Sequence, residues 1–429
     1  MAFRVSQLAV SAIYNQIVTT RVSQLAVSVI YTPIRGTGVV AYSPQYYQPT
    51  LSRQFGFSVN VYDNNDVWIE RLDIVDGWNH TISANGGFTS ASLEIQLSQR
   101  HIEEWIEKGI GRRIILSVDS VPIWEGFVNS LSAKIGPLTF TRGPLMDIGN
   151  RVLATYTPID TTVDPPVSGD TTETLFAEDL SSQEKWGIIE KIIDAGECTD
   201  DDADMYRDTY LQENLAPLSS KDISMGGGDT GLTLELLGFS AWLTAYTYYS
   251  TSILFCTATQ KIKNVLASDP NGIFNPDYSL VQDNAYLVQA GEPDRNTSAE
   301  SVIKGVVDLG DVNEDRWIFG MDVGRKVYYK PTLNSPSDIV YFQRFADPAQ
   351  RIYDIAGNIV YPWEVKPGNW LFILDFMAGK DKTSNLNDDA RAIFIEEVSF
   401  SIPWDVSFRS GAIKKLDQII AKKSMSRGQ

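Results

Sequence analysis

Along much of this 429-residue chain, short runs of β-branched and aromatic residues alternate with clusters of turn formers, and a chain so written folds as packed sheets. "FSVNVYDNNDVWIERLDIV" sets two β-patterned runs on either side of Asp63, Asn64, Asn65 and Asp66. "ANGGFTSASLEIQL" gives a glycine turn and then a strand in which Ala91, Leu93, Ile95 and Leu97 share one face. "RRIILSVDSVPIWEGFVNSL" predicts two strands about a turn at Asp119 and Ser120, with Gly126 a bulge or a close backbone approach. Further strands are expected in "RWIFGMD", "KVYYKP", "DIVYFQRF", "NWLFILDFM" and "AIFIEEVSFSI". The predicted class is α+β and β-rich: several small β-sandwich or barrel-like domains with inserted short helices and an extended N-terminal arm.

Helices are predicted where the apolar period lengthens. In "SQRHIEEWIEKG", Ile102, Trp105 and Ile106 fall on one face, the glutamates face water and Gly109 is placed as a cap. Ser181 and Glu184 form a capping-box pattern before "SQEKWGIIEKIIDAGE", whose Trp186, Ile188, Ile189, Ile192 and Ile193 predict a broad helical stripe. A second helical region is expected over 231–248. Thr297 and Glu300 are a third capping pattern, ahead of "AESVIKGVVDLG". The domain reading is an arm over 1–50, a first β domain over 51–156, a Pro/Thr/Asp-rich linker over 157–180, a mixed helical domain over 181–310, a second β domain over 311–410, and a basic amphipathic helix over 411–429.

The arm carries a duplication: "RVSQLAVSAIY" at 4–14 returns as "RVSQLAVSVIY" at 21–31. A pair is too few for a solenoid, and the β-branched content predicts two strands. They either join the sheet of the chain's own first domain or add to the edge of a neighbouring subunit. For the second case the strap residues are Arg4, Leu8, Val10 and Tyr14, then Arg21, Leu25, Val27 and Tyr31. Charge fits an assembly. Of the net −18, residues 1–50 carry +3 and 411–429 carry +4, so the body between them carries −25. Such a body disfavours specific duplex binding and suits basic arms lying on acidic neighbours.

Candidate chemistry is sparse. The two histidines, His80 and His101, sit in no nucleophile motif and are expected in structural or surface roles, and no carboxylate pair is singled out for glycosidase-like work. "DDDADMYRD" places Asp200, Asp202 and Asp204 as in a calcium loop, but Met205 replaces the turning glycine and Leu211 the closing glutamate, so a solvated acidic loop is expected. "SMGGGDTG" lacks both phosphate-loop and dinucleotide spacing. With two cysteines and two histidines there is no structural zinc set. No catalytic residue, cofactor or metal is predicted. No signal peptide is read at the N-terminus. The 24 uncharged residues 236–259, "LLGFSAWLTAYTYYSTSILFCTAT", are long enough to span a bilayer, yet eight are Ser or Thr, so a buried helix running into a strand is expected.

Three segments carry a resemblance. "NGGFTSASLEIQL" followed by the helix and "GRRIILSVDSVPIWEGFVNSLS" resembles the first β domain of tail-hub or minor tail proteins of tailed bacteriophages, where a glycine-led strand precedes a hairpin ending in a Trp-Glu-Gly turn. "SAESVIKGVVDLGDVNEDRWIFGMDVGRKVYYKP" resembles their helix-then-hairpin unit, and "NIVYPWEVKPGNWLFILD" a strand pair near their C-termini. The doubled "RVSQLAV" is similar to short repeats of phage virion proteins. The resemblance implies a non-enzymatic structural subunit of the virion, a homo-oligomer (trimer or hexamer) at the tail hub, baseplate or tail tip. It would join the tail tube to spike or fibre proteins and pass genomic DNA as non-specific cargo. Two other classes remain open on the residues: a carbohydrate-binding adhesin with aromatic sugar platforms, and a carboxylate-based glycan hydrolase.

Overall fold

The computed structural model describes residues 56–72, 75–160, 167–224, 230–292, 296–313, 315–332, 339–342, 351–354, 356–373, 392–401 and 405–410. Gly56 apart, all of them belong to one compact unit, Phe57–Gln429. β1 (Phe57–Tyr62) and β2 (Trp68–Leu72) pair as the sequence predicts. Asp63 makes their turn, its carboxylate accepting from the backbone N–H groups of Asn65 at 2.9 Å and Val67 at 2.8 Å. β3 (Gly77–Ser83) and β4 (Gly86–Ile95) follow, and Ala91, Leu93 and Ile95 are buried on the predicted face of β4. α1 (Gln99–Lys108) buries Ile102 and Trp105, ends at Gly109 and packs on β6.

β5 (Arg113–Val118) and β6 (Val121–Ile135) meet at Asp119 and Ser120, both at positive φ, which matches the twist of a tight hairpin. The early half of β6 pairs with β5, and its late half with β7 (Leu138–Arg142). The Trp-Glu-Gly motif therefore lies inside a strand, not in the turn the resemblance implies. Gly126 is the close approach: a Cβ there would meet the Leu237 carbonyl oxygen at 2.2 Å.

The next stretch departs most from expectation. β8 (Arg151–Asp160) runs past the predicted boundary at 156, and the supposed linker is pinned to it by β9 (Val167–Ser168), β10 (Thr172–Glu173) and β11 (Ala177–Glu178). The helix expected over 182–197 is only α2 (Leu180–Trp186), capped by Asp179, which accepts from Ser182 N at 2.7 Å. Gly187 at φ 78° stops it, and Ile192 and Ile193 go instead into β12 (Glu190–Cys198), parallel to β8. Asn150, fully buried, fixes this break: its amide donates to the Gly187 carbonyl at 2.7 Å and accepts from Ile189 N at 2.8 Å. The acidic run is no loop either, but opens α3 (Asp200–Glu213), which packs on β8. Thr199 caps it, and Asp200, Asp201 and Asp202 lie in the first turn, where carboxylates complement the helix dipole.

β13 (Ser219–Ile223) pairs with β7, and β14 (Gly231–Gly238) replaces the helix expected over 231–248. Leu232, Leu234 and Leu236 bury with a period of two, as a strand requires. A 3-10 helix, Phe239–Thr244, buries Phe239, Trp242 and Leu243, and the chain then reaches β15 (Phe255–Thr257). The uncharged run is thus a strand, a short helical turn and a strand, and among the described residues no helix is long and apolar enough to cross a membrane. α4 (Ala258–Ala267), β16 (Asn275–Val281), β17 (Leu287–Gln289) and α5 (Ala299–Leu309) follow, with α5 capped by Ser298, one residue beyond the predicted Thr297.

Five later strands fall where predicted, β18 (Trp317–Asp322), β19 (Lys326–Pro331), β20 (Ile339–Phe342), β23 (Trp370–Ile373) and β24 (Ala392–Ser401), and three more were not foreseen, β21 (Ile352–Asp354), β22 (Ile359–Val360) and β25 (Asp405–Ser410). The main sheet orders β2–β1–β5–β6–β14–β4–β3–β24–β25, so β14 lies between β6 and β4, and β24 pairs with β3 across more than 300 residues. Val59, Val61, Leu93, Ile114, Leu131 and Leu234 line its core. The chain is α+β and β-rich, with short helices between strands, as the sequence predicts. The helix predicted over 411–429 and the glycine run 225–229 lie outside the described residues.

Candidate assembly surface and polar cleft

The strap residues Arg4, Leu8, Val10, Tyr14, Arg21, Leu25, Val27 and Tyr31 lie outside the described residues. The two imidazoles are both committed to structure. His80 is buried on β3, its Nδ1 accepting from Trp78 Nε1 at 2.8 Å and its ring stacked on Phe400, and burial lowers its pKa from 6.5 to about 3. His101 on α1 meets Glu70 at 3.0 Å across to β2. Among the described residues no group of three or more His, Cys, Asp or Glu could hold a metal ion.

Two features remain. The first is the two-stranded ribbon of β15 and β17, hydrogen bonded to no third strand among the described residues. Its inner side is set by Cys256 opposite Val288, with Val288 buried and both strands packed on α4. Its outer side is apolar and open to water: Phe255 is 72% exposed and Leu287 63%, and the approach to the ribbon adds Ile253 at 84% and Leu254 at 69%. Of the ribbon, β15 and its approach fall in the second half of the uncharged run 236–259. Free strand edges are normally guarded by a lysine, a proline or an inward charge, and β15 has none of these. Thr257 and the exposed Gln289 share this face with the apolar side chains.

The second feature is a cleft of about 230 Å³ where the β1–β2 turn, the end of α2, the 3-10 helix and the β18–β19 turn meet. An ion network builds one wall. Glu125, from the Trp-Glu-Gly motif and 1% exposed as a side chain, accepts from Arg113 Nε at 2.8 Å and from the Gly324 amide at 2.5 Å. Arg113 also reaches Asp66 Oδ1 at 3.2 Å, and the same oxygen pairs with Arg325. Arg325 lies over the Phe239 ring, 4.5 Å from its centroid. Burial pulls the Arg325 guanidinium below its ordinary value, and Asp66 offsets part of that. Asn64 donates to the Lys185 carbonyl at 3.2 Å, and Asn271 brackets Ile188, accepting from its N–H at 2.6 Å and donating to its carbonyl at 2.8 Å. Two buried donors in the lining, Arg325 Nε and Trp242 Nε1, have no hydrogen-bond partner among the described residues.

Sequence reasoning found neither feature. The ribbon's signal was the lack of charge over 236–259. The cleft draws on residues from 63 to 325 that no local pattern links.

No protein-family model matches the chain, and no curated protein matches it. Solved structures do resemble it. The crystal structure of the tail protein from Neisseria meningitidis MC58 is 8% identical, with a TM-score of 0.43 over 85% of this chain and 99% of that one. That of a 43 kDa tail protein of prophage MuSo2 from Shewanella oneidensis is 7% identical, with a TM-score of 0.39 over 83% of this chain and 97% of that one.

Proposed function

We propose that the chain is a structural subunit of a bacteriophage tail, built to be covered by neighbouring subunits rather than to catalyse a reaction. The observation that carries this reading is the outer side of the β15–β17 ribbon, where Ile253, Leu254, Phe255 and Leu287 face water on an uncharged strand edge. A soluble monomer has no use for that surface, and a virion subunit has. The three segments that resemble hub and minor tail proteins give the class. Within that class the subunit forms a closed homo-oligomeric ring, a trimer or hexamer, at the hub, baseplate or tail tip. It contacts tube and spike or fibre proteins, and DNA passes its acidic body without specific contacts. Catalysis has no part in this reading, since both imidazoles serve packing or a helix-to-strand ion pair.

The test is the native mass of the purified chain and of the double variant Ile253→Lys, Phe255→Lys. The wild type is expected as an oligomer and the variant as a folded monomer, because two lysines on the ribbon make its burial unfavourable. A wild type that is monomeric at all concentrations, or a variant that assembles unchanged, overturns the reading.

A further inference from the structure

We infer that Asn85 is a site of spontaneous deamidation in the folded protein, whereas Asn271 is held against the same reaction. The chain has two Asn-Gly pairs, Asn85–Gly86 and Asn271–Gly272. Neither belongs to the ribbon, so the inference stands apart from the assembly reading.

The reaction needs no enzyme, cofactor or oxidant. The backbone nitrogen of the glycine attacks the asparagine Cγ. A bond forms between them, the Cγ–Nδ2 bond breaks, and the proton of the glycine N–H leaves with the amide nitrogen as ammonia. Water then opens the five-membered imide at either carbonyl, giving aspartate or isoaspartate. Glycine in second place favours ring closure because no Cβ shields its nitrogen. Both glycines have room: a Cβ at Gly86 would meet nothing nearer than 3.8 Å, and one at Gly272 nothing within 4 Å. Sequence and glycine surroundings thus treat the two pairs alike, and the asparagine side chains decide between them.

To react, the side chain has to turn its Cγ onto the next backbone nitrogen, away from whatever holds it. Asn271 is held at both ends, its Oδ1 accepting from Ile188 N–H at 2.6 Å and its Nδ2 donating to the Ile188 carbonyl at 2.8 Å. Rotation breaks both bonds, and each net hydrogen bond lost slows the step by roughly fivefold. Asn85 is held by one longer bond, its Oδ1 accepting from Phe319 N–H at 3.3 Å, and among the described residues its Nδ2 donates to nothing. The leaving nitrogen there is free.

The surroundings also set the consequence. Ala84 and Asn85 make the turn from β3 to β4, and Ala84 is fastened on two sides: its N–H donates to the Glu396 carbonyl of β24 at 2.7 Å, and the Tyr328 hydroxyl of β19 donates to its carbonyl at 3.0 Å. The aspartate product keeps an acceptor for Phe319. The isoaspartate product adds a carbon to the main chain of the turn and strains both fastenings.

The test holds the full-length chain at mildly alkaline pH and physiological temperature, folded in one arm and in concentrated guanidinium chloride in the other. Mass spectrometry with chromatographic separation of isoaspartate follows the peptides that carry the two residues. In the folded chain Asn85 is expected to convert at least about fivefold faster than Asn271, and in denaturant the two rates are expected to converge. Asn85→Asp, freshly made, is expected to keep the unfolding midpoint, and the aged fraction containing isoaspartate to unfold earlier. The proposal is overturned if Asn271 converts as fast as Asn85 in the folded chain, or if Asn85 is spared there while it converts in denaturant. A gap that persists in denaturant overturns it too, since the difference would then belong to the neighbouring sequence.

Discussion

At the scale of single residues, the structure turns several polar side chains into fixtures of the core. His80 is the clearest, since its ring is buried and accepts the indole N–H of Trp78 in its neutral form. Its folded-state pKa, about 3, lies below the ordinary 6.5, so the unfolded chain binds the proton more readily. Its contribution to stability is complete above pH 6.5 and is lost as pH falls from there toward 3, with a slope approaching about 1.4 kcal/mol per pH unit. His80→Asn, which keeps an acceptor for Trp78 but cannot titrate, is expected to show a smaller loss than wild type when urea unfolding at pH 7 is compared with pH 5. Equal losses in the two proteins would remove His80 as the cause. Glu125 is a fixture of the same kind, because its two oxygens tie β5 to the β18–β19 turn.

At the scale of elements, two glycines make opposite predictions. Gly126 lets β6 approach β14, and Gly126→Ala would push a methyl group into the Leu237 carbonyl, parting the strands at the centre of the sheet. Thermal unfolding should show a loss of several kcal/mol, if the variant folds at all. Gly305 lies on the exposed side of α5 with nothing near its Cβ position. Gly305→Ala should therefore stabilise the same protein by about 0.5–1 kcal/mol. Elements also show where the sequence was legible. The hairpins at Asp63–Asp66 and Asp119–Ser120 could be read because turn chemistry and alternation agreed. The isoleucines of 188–193 fit both a helical stripe and a strand, and what decided between them was the positive-φ conformation of Gly187, held by Asn150 from the bend before β8. In β14 the period of two at Leu232, Leu234 and Leu236 was present but overshadowed by the long uncharged run that follows. The acids of α3 read as a loop because Thr199, the residue that caps them into a helix, is a weak signal by itself. The cleft was illegible for another reason: its walls come together only when the main sheet is closed.

At the scale of the whole molecule, two modes of association differ in their response to salt. The body is acidic, and an apolar ribbon draws like-charged bodies together, so screening should strengthen contacts made through it. A strap of Arg4 and Arg21 lying on acidic neighbours should weaken under the same change. Native mass measured from low ionic strength to roughly physiological salt, where the screening length is about 8 Å, separates the two. Growth of the oligomer with salt is expected, as the ribbon and its approach expose Ile253, Leu254, Phe255 and Leu287; dissociation with salt would assign assembly to the arm instead.

The pairing of β24 with β3 has a consequence for how the protein is made. A ribosome delivers β3 more than 300 residues before its partner strand β24, and β14, the strand between β4 and β6, arrives between the two. Until then the nascent sheet stands open at both places. At roughly 5–20 residues per second that wait lasts tens of seconds. A truncated product lacking β24 would leave the edge of β3 unpaired, so the fold itself withholds a finished subunit from any chain that stops short. Synthesis through β24 thereby becomes a condition of incorporation.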